Sequence, residues 1–233
     1  MIEFDREMRD EDEDVAPLPI SSERSGRGLD RTASREVRRR QLIESTVAEI
    51  AENGLSGLKI SGVAQRAKLA TGMVNFHFVS KAQLLDATLD YLSEEYRLCW
   101  RHAIDNAGAA PAARLRAMMM ADLDPQVCTR RRIAVWHAFY GEARARPAFL
   151  ARCAQREAEH HAELVGLCAA VIEAGGGTAM EMAAERAASG LSALTDGIWL
   201  GLLFSPGRID REPGRQTIDS FLAAVFPRAF SGK

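Results

Sequence analysis

The sequence predicts an all-α protein, with a small three-helix head at the N-terminal end and a longer antiparallel helical bundle behind it. Three observations predict this. Apolar residues recur at helical spacing along most of the chain, and no run alternates convincingly at period two. Prolines are sparse, and Pro111, Pro125, Pro147 and Pro213 stand at or near expected helix starts, where the missing N–H costs nothing. Hydrophobic residues make up 47% of 233 positions, enough for one or two domains with cores of their own.

Residues 1 to 34 are charged, contain Pro17, Pro19, Gly26 and Gly28, and show little periodicity, so they are expected to form a disordered tail. The formal net charge of −2 hides an asymmetry within it. Acids dominate the first fourteen residues, whereas Arg24, Arg27, Arg31, Arg35, Arg38, Arg39 and Arg40 face only two acids over 24–40. Local charge, not the total, is what a polyanion would meet. The basic half suits a solvated tail first, and an arm laid on phosphates or a minor groove second.

A first helix is expected from 37 to 53. Leu42, Ile43, Thr46, Val47, Ile50 and Ala51 share one face, and Gly54 ends it. Arg38, Arg39 and Arg40 sit at its N-terminal end, where the helix dipole disfavours cations and a phosphate partner would offset the cost.

The stretch from Leu58 to Lys81 reads as two short helices meeting at a tight turn. Ile60, Val63, Ala64 and Ala67 face inward, Lys68-Leu69-Ala70 makes the turn with Leu69 as its plug, and Val74 and Phe78 bury the second helix. Thr71, Met73, Asn75 and His77 point outward. Such a pair can lay its second helix in the major groove of DNA. Ser80-Lys81-Ala82-Gln83 then fits a capping box, and Leu84, Leu85, Thr88, Leu89 and Leu92 form the buried face of a longer helix.

Here the chain resembles the tetracycline-repressor (TetR) family of bacterial regulators. The match runs through Ile60, Val63-Ala64, Ala67, Thr71-Gly72, His77-Phe78, Lys81 and Leu84. The resemblance implies a helix-turn-helix DNA-binding domain over 35–80 and a ligand-binding and dimerisation domain over 81–233. It also implies a homodimer on a palindromic operator, usually repressing, and a phosphate contact for Lys81. Candidate DNA-binding residues are Arg38, Arg39, Lys59, Lys68, Thr71, Gly72, Met73, Asn75, His77 and Lys81. Asn75 can pair bidentately with adenine, and Thr71 or Met73 can meet a thymine methyl.

The sequence departs from the family pattern at four places. Lys59 removes a hydroxyl cap from one short helix and Ala70 from the other, Lys68 replaces a turn glycine, and Asn75 stands where many relatives carry Tyr.

Five further helices are expected near 111–122, 126–145, 148–174, 179–204 and 213–228. The third would be about 40 Å long. Its middle, Gln155 to His161, is polar, and His160 and His161 read as a polar helix face. Gly190, Ala193, Gly197 and Gly201 make a small-residue face on the fourth, and Ile218, Phe221, Leu222 and Val225 an apolar stripe on the fifth. Family dimers pack their last two helices against a partner, so these eight residues are the expected dimer interface.

Within the family, residues 134–140 (Ala-Val-Trp-His-Ala-Phe-Tyr) and 190–200 look like the BetI subfamily, whose members respond to choline. Trp100, Trp136, Phe139, Tyr140 and Trp199 are candidate ligand-binding residues, because aromatic faces hold quaternary ammonium by cation–π attraction. Asp196 or Glu142 could add a counter-charge, and Met118, Met119 and Met120 an adaptable wall. Aromatics at helical spacing equally suit plain core packing. The expected effector is a choline-like amine or another small apolar or cationic molecule.

No catalytic residue, metal site or cofactor is expected. His160 and His161 adjoin Glu159 and Glu163 without an HExxH or paired Glu-x-x-His pattern, and a helical-bundle enzyme is the remote alternative. Cys99, Cys128, Cys153 and Cys168 share no metal-finger spacing and read as reduced, packed thiols. Leu191 to Phe204 is apolar but reads as too short and interrupted to span a bilayer. A cytoplasmic protein with no membrane partner is expected.

Overall fold

The computed structural model describes residues 27–176 and 181–230, and every regular element among the described residues is helical. Helix α1 (Arg27–Gly57) starts inside the segment expected as tail, and the rest of that segment, residues 1–26, lies outside the described residues. Leu42, Ile43, Thr46, Val47 and Ile50 are buried along one face of α1, as their spacing predicts. Gly54 (φ 68°, ψ 171°) breaks the helical path where the glycine was expected to end it. The turn beyond brings Leu55 and Leu58 into the core.

Helices α2 (Ile60–Arg66) and α3 (Thr71–His77) follow. Neither N-cap, Lys59 or Ala70, supplies a side-chain hydrogen bond, as expected from residues without a short hydroxyl. Leu69 is half-buried against the core. Lys68 carries the positive φ, 52°, that the turn demands. An L-residue there is strained by about 1 kcal/mol. Lys68→Gly is therefore expected to raise stability by about 1 kcal/mol or less, since the glycine's freer unfolded chain offsets part of the relief. A Tm that falls in Lys68→Gly would show that the turn carries no such strain.

Helix α4 (Lys81–Asn106) begins at the expected cap, where Ser80 Oγ accepts from the Gln83 amide at 3.1 Å. The Gln83 side chain reaches back to accept from the Val79 amide at 2.7 Å, one residue before the cap. Leu84, Leu85, Leu89 and Leu92 are buried beneath the first three helices, while Tyr96, Trp100 and Ile104 are buried further along the same rod.

Helices α5 (Pro111–Ala121), α6 (Arg130–Ala143), α7 (Pro147–Ala174), α8 (Glu181–Phe204), α9 (Glu212–Val225) and α10 (Pro227–Phe230) complete the chain. Two boundaries differ from expectation. Residues 122–128 form turns around Asp124, so Pro125 starts no helix, and Thr129 Oγ1 caps α6 by accepting from the Arg132 amide at 3.1 Å. The last predicted helix is divided at Phe226 (φ −124°, ψ 61°), after which Pro227 opens α10. Helix α7 packs against α4, α5, α6 and α8, and α1 packs against both α4 and α6.

A polar clamp joins α1, α4 and α6. Arg132 on α6 donates to both oxygens of Glu95 on α4, at 2.6 and 2.7 Å, and reaches Glu44 of α1 at 3.3 Å. Tyr91 donates its hydroxyl to Glu44 at 2.6 Å and accepts from Arg40 at 3.2 Å.

Helix α8 corrects one expectation. Its apolar stretch runs from Ala183 to Phe204, with mean hydropathy 1.3, and is long and apolar enough to cross a membrane by length and composition. Against that reading, Ala184, Ala188, Leu191, Thr195, Trp199 and Leu202 are buried within the chain, and α8 packs on α6, α7 and α9. Ala193, Gly197 and Gly201 face outward beside Leu200 and the 76% exposed Phe204. Gly190 instead packs under Phe221, whose ring carbon would lie 3.2 Å from an added Cβ. On α9, Val225 is exposed and Phe221 half-buried. Ile218 and Leu222 are fully buried in the chain's own core, so they support that surface and do not form it.

All four cysteines are unbridged. Burial pushes the thiols of Cys99 and Cys168 up to about 12 and that of Cys128 to about 11, with Cys153 raised as well.

Candidate functional site

The head presents α3 outward. Thr71, Gly72 and Asn75 are exposed, and Met73 and His77 are half-buried. Burial and the neighbouring Arg35 guanidinium hold the His77 imidazole below the usual histidine range, so it is neutral at cellular pH. Phe76, absent from the sequence-derived set, is 66% exposed on the same short helix. Its ring meets His77 edge-on at 5.3 Å, and the Arg35 guanidinium lies 5.9 Å from it. A large aromatic between two outward-facing positions was the signal for it.

The basic residues divide into anchors and free ends. Arg39 stacks over Phe78 at 5.3 Å, tying α1 to α3. Lys81 donates to the Leu58 carbonyl at 2.6 Å and braces the link between α1 and α2. Arg38 bonds Gln41 at 2.9 Å on the exposed side, and Lys59 and Lys68 are exposed. Gln41 donates to Ala67 O at 2.8 Å, and Arg66 pairs with Glu49 at 2.7 Å and also with Glu52, so α2 is held on α1. Gly62 permits this approach, because a Cβ there would lie 2.3 Å from Glu49 Oε1.

Behind the head, α4, α6, α7 and α8 line a half-open pocket of about 550 Å³. Trp136, Tyr140, Trp199 and Asp196 are among the residues that line it. Trp100 and Phe139 do not: Trp100 is buried against His160, and Phe139 packs edge-on to Phe149 at 5.3 Å. Glu142 pairs with Arg146 at 3.3 Å, and Met118 and Met119 are fully buried core.

The pocket's other wall comes from the polar middle of α7, through Arg156 and Glu157. His160 is only 5% exposed, which corrects the expectation for it, whereas His161 pairs with Glu185 at 2.8 Å near the surface. Cys153, Arg156, His160, Leu164 and Cys168 recur at three- and four-residue steps, so one stripe of α7 turns inward carrying two polar residues. That spacing was the signal for them. Tyr96 and Asp122 complete the set that sequence reasoning missed.

Three rings surround one cation. The Arg156 guanidinium carbon lies 4.4 Å from the centre of Trp136, 4.6 Å from Tyr96 and 5.9 Å from Tyr140. Its Nη2 donates to Glu157 Oε1 at 2.5 Å and also to the Tyr140 hydroxyl. Its buried Nε has no hydrogen-bond partner, and neither has His137 Nε2. Below, Tyr96 donates to Asp122 Oδ1 at 2.6 Å, and Trp199 Nε1 donates to the Asp122 carbonyl at 2.7 Å. His160 Nε2 lies 3.1 Å from the Tyr96 oxygen. With the Tyr96 proton on Asp122, His160 donates to the Tyr96 oxygen as its Nε2–H tautomer; with Asp122 protonated, the chain runs the other way and His160 accepts.

Burial raises the Asp122 carboxyl above the usual carboxylate range and lowers His160 below the usual histidine value of 6.5. Between its folded and unfolded values His160 binds more protons when the chain is unfolded. Its contribution is therefore present above about pH 6.5 and lost as pH falls through the depressed folded value. Asp122, raised, acts in the opposite sense. Comparison with His160→Phe isolates the histidine: the wild-type Tm is expected to fall relative to that variant between pH 7.5 and 5.5. Parallel Tm curves would show that His160 has no such role.

A helix-turn-helix head on a helical body that carries a pocket is the architecture of a one-component transcriptional regulator. Residues 42–88 match the family described as bacterial regulatory proteins, tetR family, and residues 111–227 match the family described as BetI-type transcriptional repressor, C-terminal. The chain belongs to the TetR family, in its BetI-type branch. It is 32% identical over 194 residues to the HTH-type transcriptional regulator BetI of Paraburkholderia xenovorans, covering 82% of this chain and 94% of that one. A transcriptional regulator from Pseudomonas aeruginosa PAO1 is similar in structure, with TM-score 0.72 and 27% identity over 84% of this chain and 93% of its own. A regulator from Saccharomonospora viridis, solved in complex with choline, shares the fold at TM-score 0.67 and 19% identity, over 80% and 96% of the two chains. These are regulators of transcription, not enzymes.

Proposed function

We propose that the chain is a homodimeric repressor that binds a palindromic operator and is released from it by a small quaternary amine of the choline class. One observation carries the effector reading: rings from α4 and α6 already surround a cation inside the body. The lining supports it, with carboxyl groups from Asp122, Glu157 and Asp196 against the single guanidinium of Arg156. The choline seen in the Saccharomonospora viridis regulator agrees in chemistry. The exposed faces of α8 and α9 suit a second copy, and the protein would act in the cytoplasm, where its DNA lies.

Coupling has a physical route. Helix α6 carries Trp136, His137 and Tyr140 on the cavity and, one turn earlier, Arg132 in the clamp on α1 and α4. An effector that shifts α6 favours one arrangement of the heads over another, and a coupling of about 1–3 kcal/mol changes operator affinity tenfold or more.

The test is a thermal-shift screen of the purified protein against choline, betaine aldehyde, glycine betaine, fatty acids and nucleobases. A ligand that binds the folded state raises Tm by mass action. Choline or its aldehyde is expected to raise it. A shift with fatty acids or nucleobases alone would sink the quaternary-amine assignment.

A further inference from the structure

The cavity contains a cation of its own, and the place it occupies is the one a cationic effector would need. A quaternary nitrogen held against Trp136 and Tyr96 at ordinary cation–π distances would overlap the Arg156 guanidinium, whose carbon lies 4.4 and 4.6 Å from those ring centres. Two positive charges cannot share these faces. Nor is the guanidinium fully satisfied where it stands: its buried Nε lacks a partner. A buried donor left unpaired raises the free energy of the pose that buries it. An exit lies alongside. Glu157, already bonded to Nη2 at 2.5 Å, is half exposed, with 51% of its side-chain surface accessible, so the guanidinium can move outward without losing its carboxylate.

We propose that Arg156 is a tethered occupant of the effector's own place, and that a cationic effector binds by expelling the guanidinium from the faces of Trp136 and Tyr96 toward Glu157. The proposal rests on the cation-sensing reading and adds its regulation. Arg156 sets the threshold concentration, because only the fraction of molecules with an empty cage is competent to bind. Apparent affinity falls by that fraction. It also sets specificity, since a neutral ligand gains less than a cation from the vacated rings.

Two measurements on the full chain decide it, using tetramethylammonium and choline as probes. In calorimetric titration, Arg156→Met is expected to bind both about tenfold more tightly than the wild type, as a cage occupied nine-tenths of the time requires. In the wild type, the Arg156 Nε–H resonance, displaced by the ring currents of Trp136 and Tyr96, is expected to return toward the ordinary arginine position at saturation. This second readout needs no variant. Wild-type binding with equal or weaker binding by a folded Arg156→Met protein, or an Nε–H signal that stays displaced at saturation, overturns the proposal and leaves the cation-sensing reading intact. Failure of both proteins to bind any quaternary amine at millimolar concentration overturns the reading and the proposal together.

Discussion

Operator affinity is expected to fall about a thousandfold between 50 and 200 mM salt, if the protein binds as the proposed dimer and neutralises about six phosphates. The estimate comes from the exposed cations that no bond ties to another part of the head. Arg39 is spent on Phe78 and Lys81 on the Leu58 carbonyl, whereas Arg38, bonded only to Gln41 of its own helix, and Lys59 and Lys68 stand exposed. Two heads double that set. Lys59→Ala or Lys68→Ala should each flatten the logarithmic salt slope by about two, one counterion for each head. Asn75→Ala should leave the slope alone and cost about 1–3 kcal/mol of sequence discrimination at each head, because a base contact carries no phosphate charge. Fluorescence anisotropy of a labelled operator across a salt series reads both. A flat dependence would mean that the exposed cations do not meet the DNA backbone.

Trp136→Ala is expected to cost about 3–5 kcal/mol of stability, a Tm loss of about 10 °C for a chain of this size. The indole is 2% exposed, stacks on Tyr140 with centroids 5.9 Å apart, and supplies the nearest face to Arg156. Its removal enlarges the cavity and leaves a buried guanidinium short of one ring. Differential scanning fluorimetry checks it, and a loss below about 2 °C would show that the neighbouring helices collapse into the space. The same size of effect makes Trp136→Ala a poor probe of ligand contact alone, which is why displacement of Arg156 is better read in the wild type.

Much of the fold was legible. Pro111 and Pro147 open their helices, Ser80 caps α4 with Gln83 in support, Gly54 breaks α1, and Lys68 takes the left-handed turn. These are local signals, set by one residue's dihedral preference or hydrogen-bonding capacity. The cavity was legible only in part, because periodicity assigns a residue to a face without saying how deep that face lies. Trp136 and Phe139 are three positions apart on α6, and both are buried, yet one lines the cavity and the other packs on Phe149. His160 was read as part of a polar helix face, and Arg156 was not singled out, because charge and polarity were weighed before spacing. What turns an arginine inward is three rings brought from α4 and α6, a non-local fact. Ile218 and Leu222 failed as surface residues for a similar reason: an apolar stripe on α9 does not announce whether its partner is α8 of the same chain or of another.

The position of Arg132 one turn before Trp136 on α6 has an evolutionary consequence. On the proposed reading, the residues that would choose a chemical signal and the residue that grips the first helix ride on one rod but face different neighbours. Substitutions at His137 or Tyr140 can reshape the chamber while the grip of Arg132 on Glu44 and Glu95 is left as it was. If α3 reads the operator as proposed, changes on it would likewise retarget the genes without disturbing the chamber. A lineage built this way can exchange its input or its output separately, each by a few point substitutions, and keep a working transmission between them throughout.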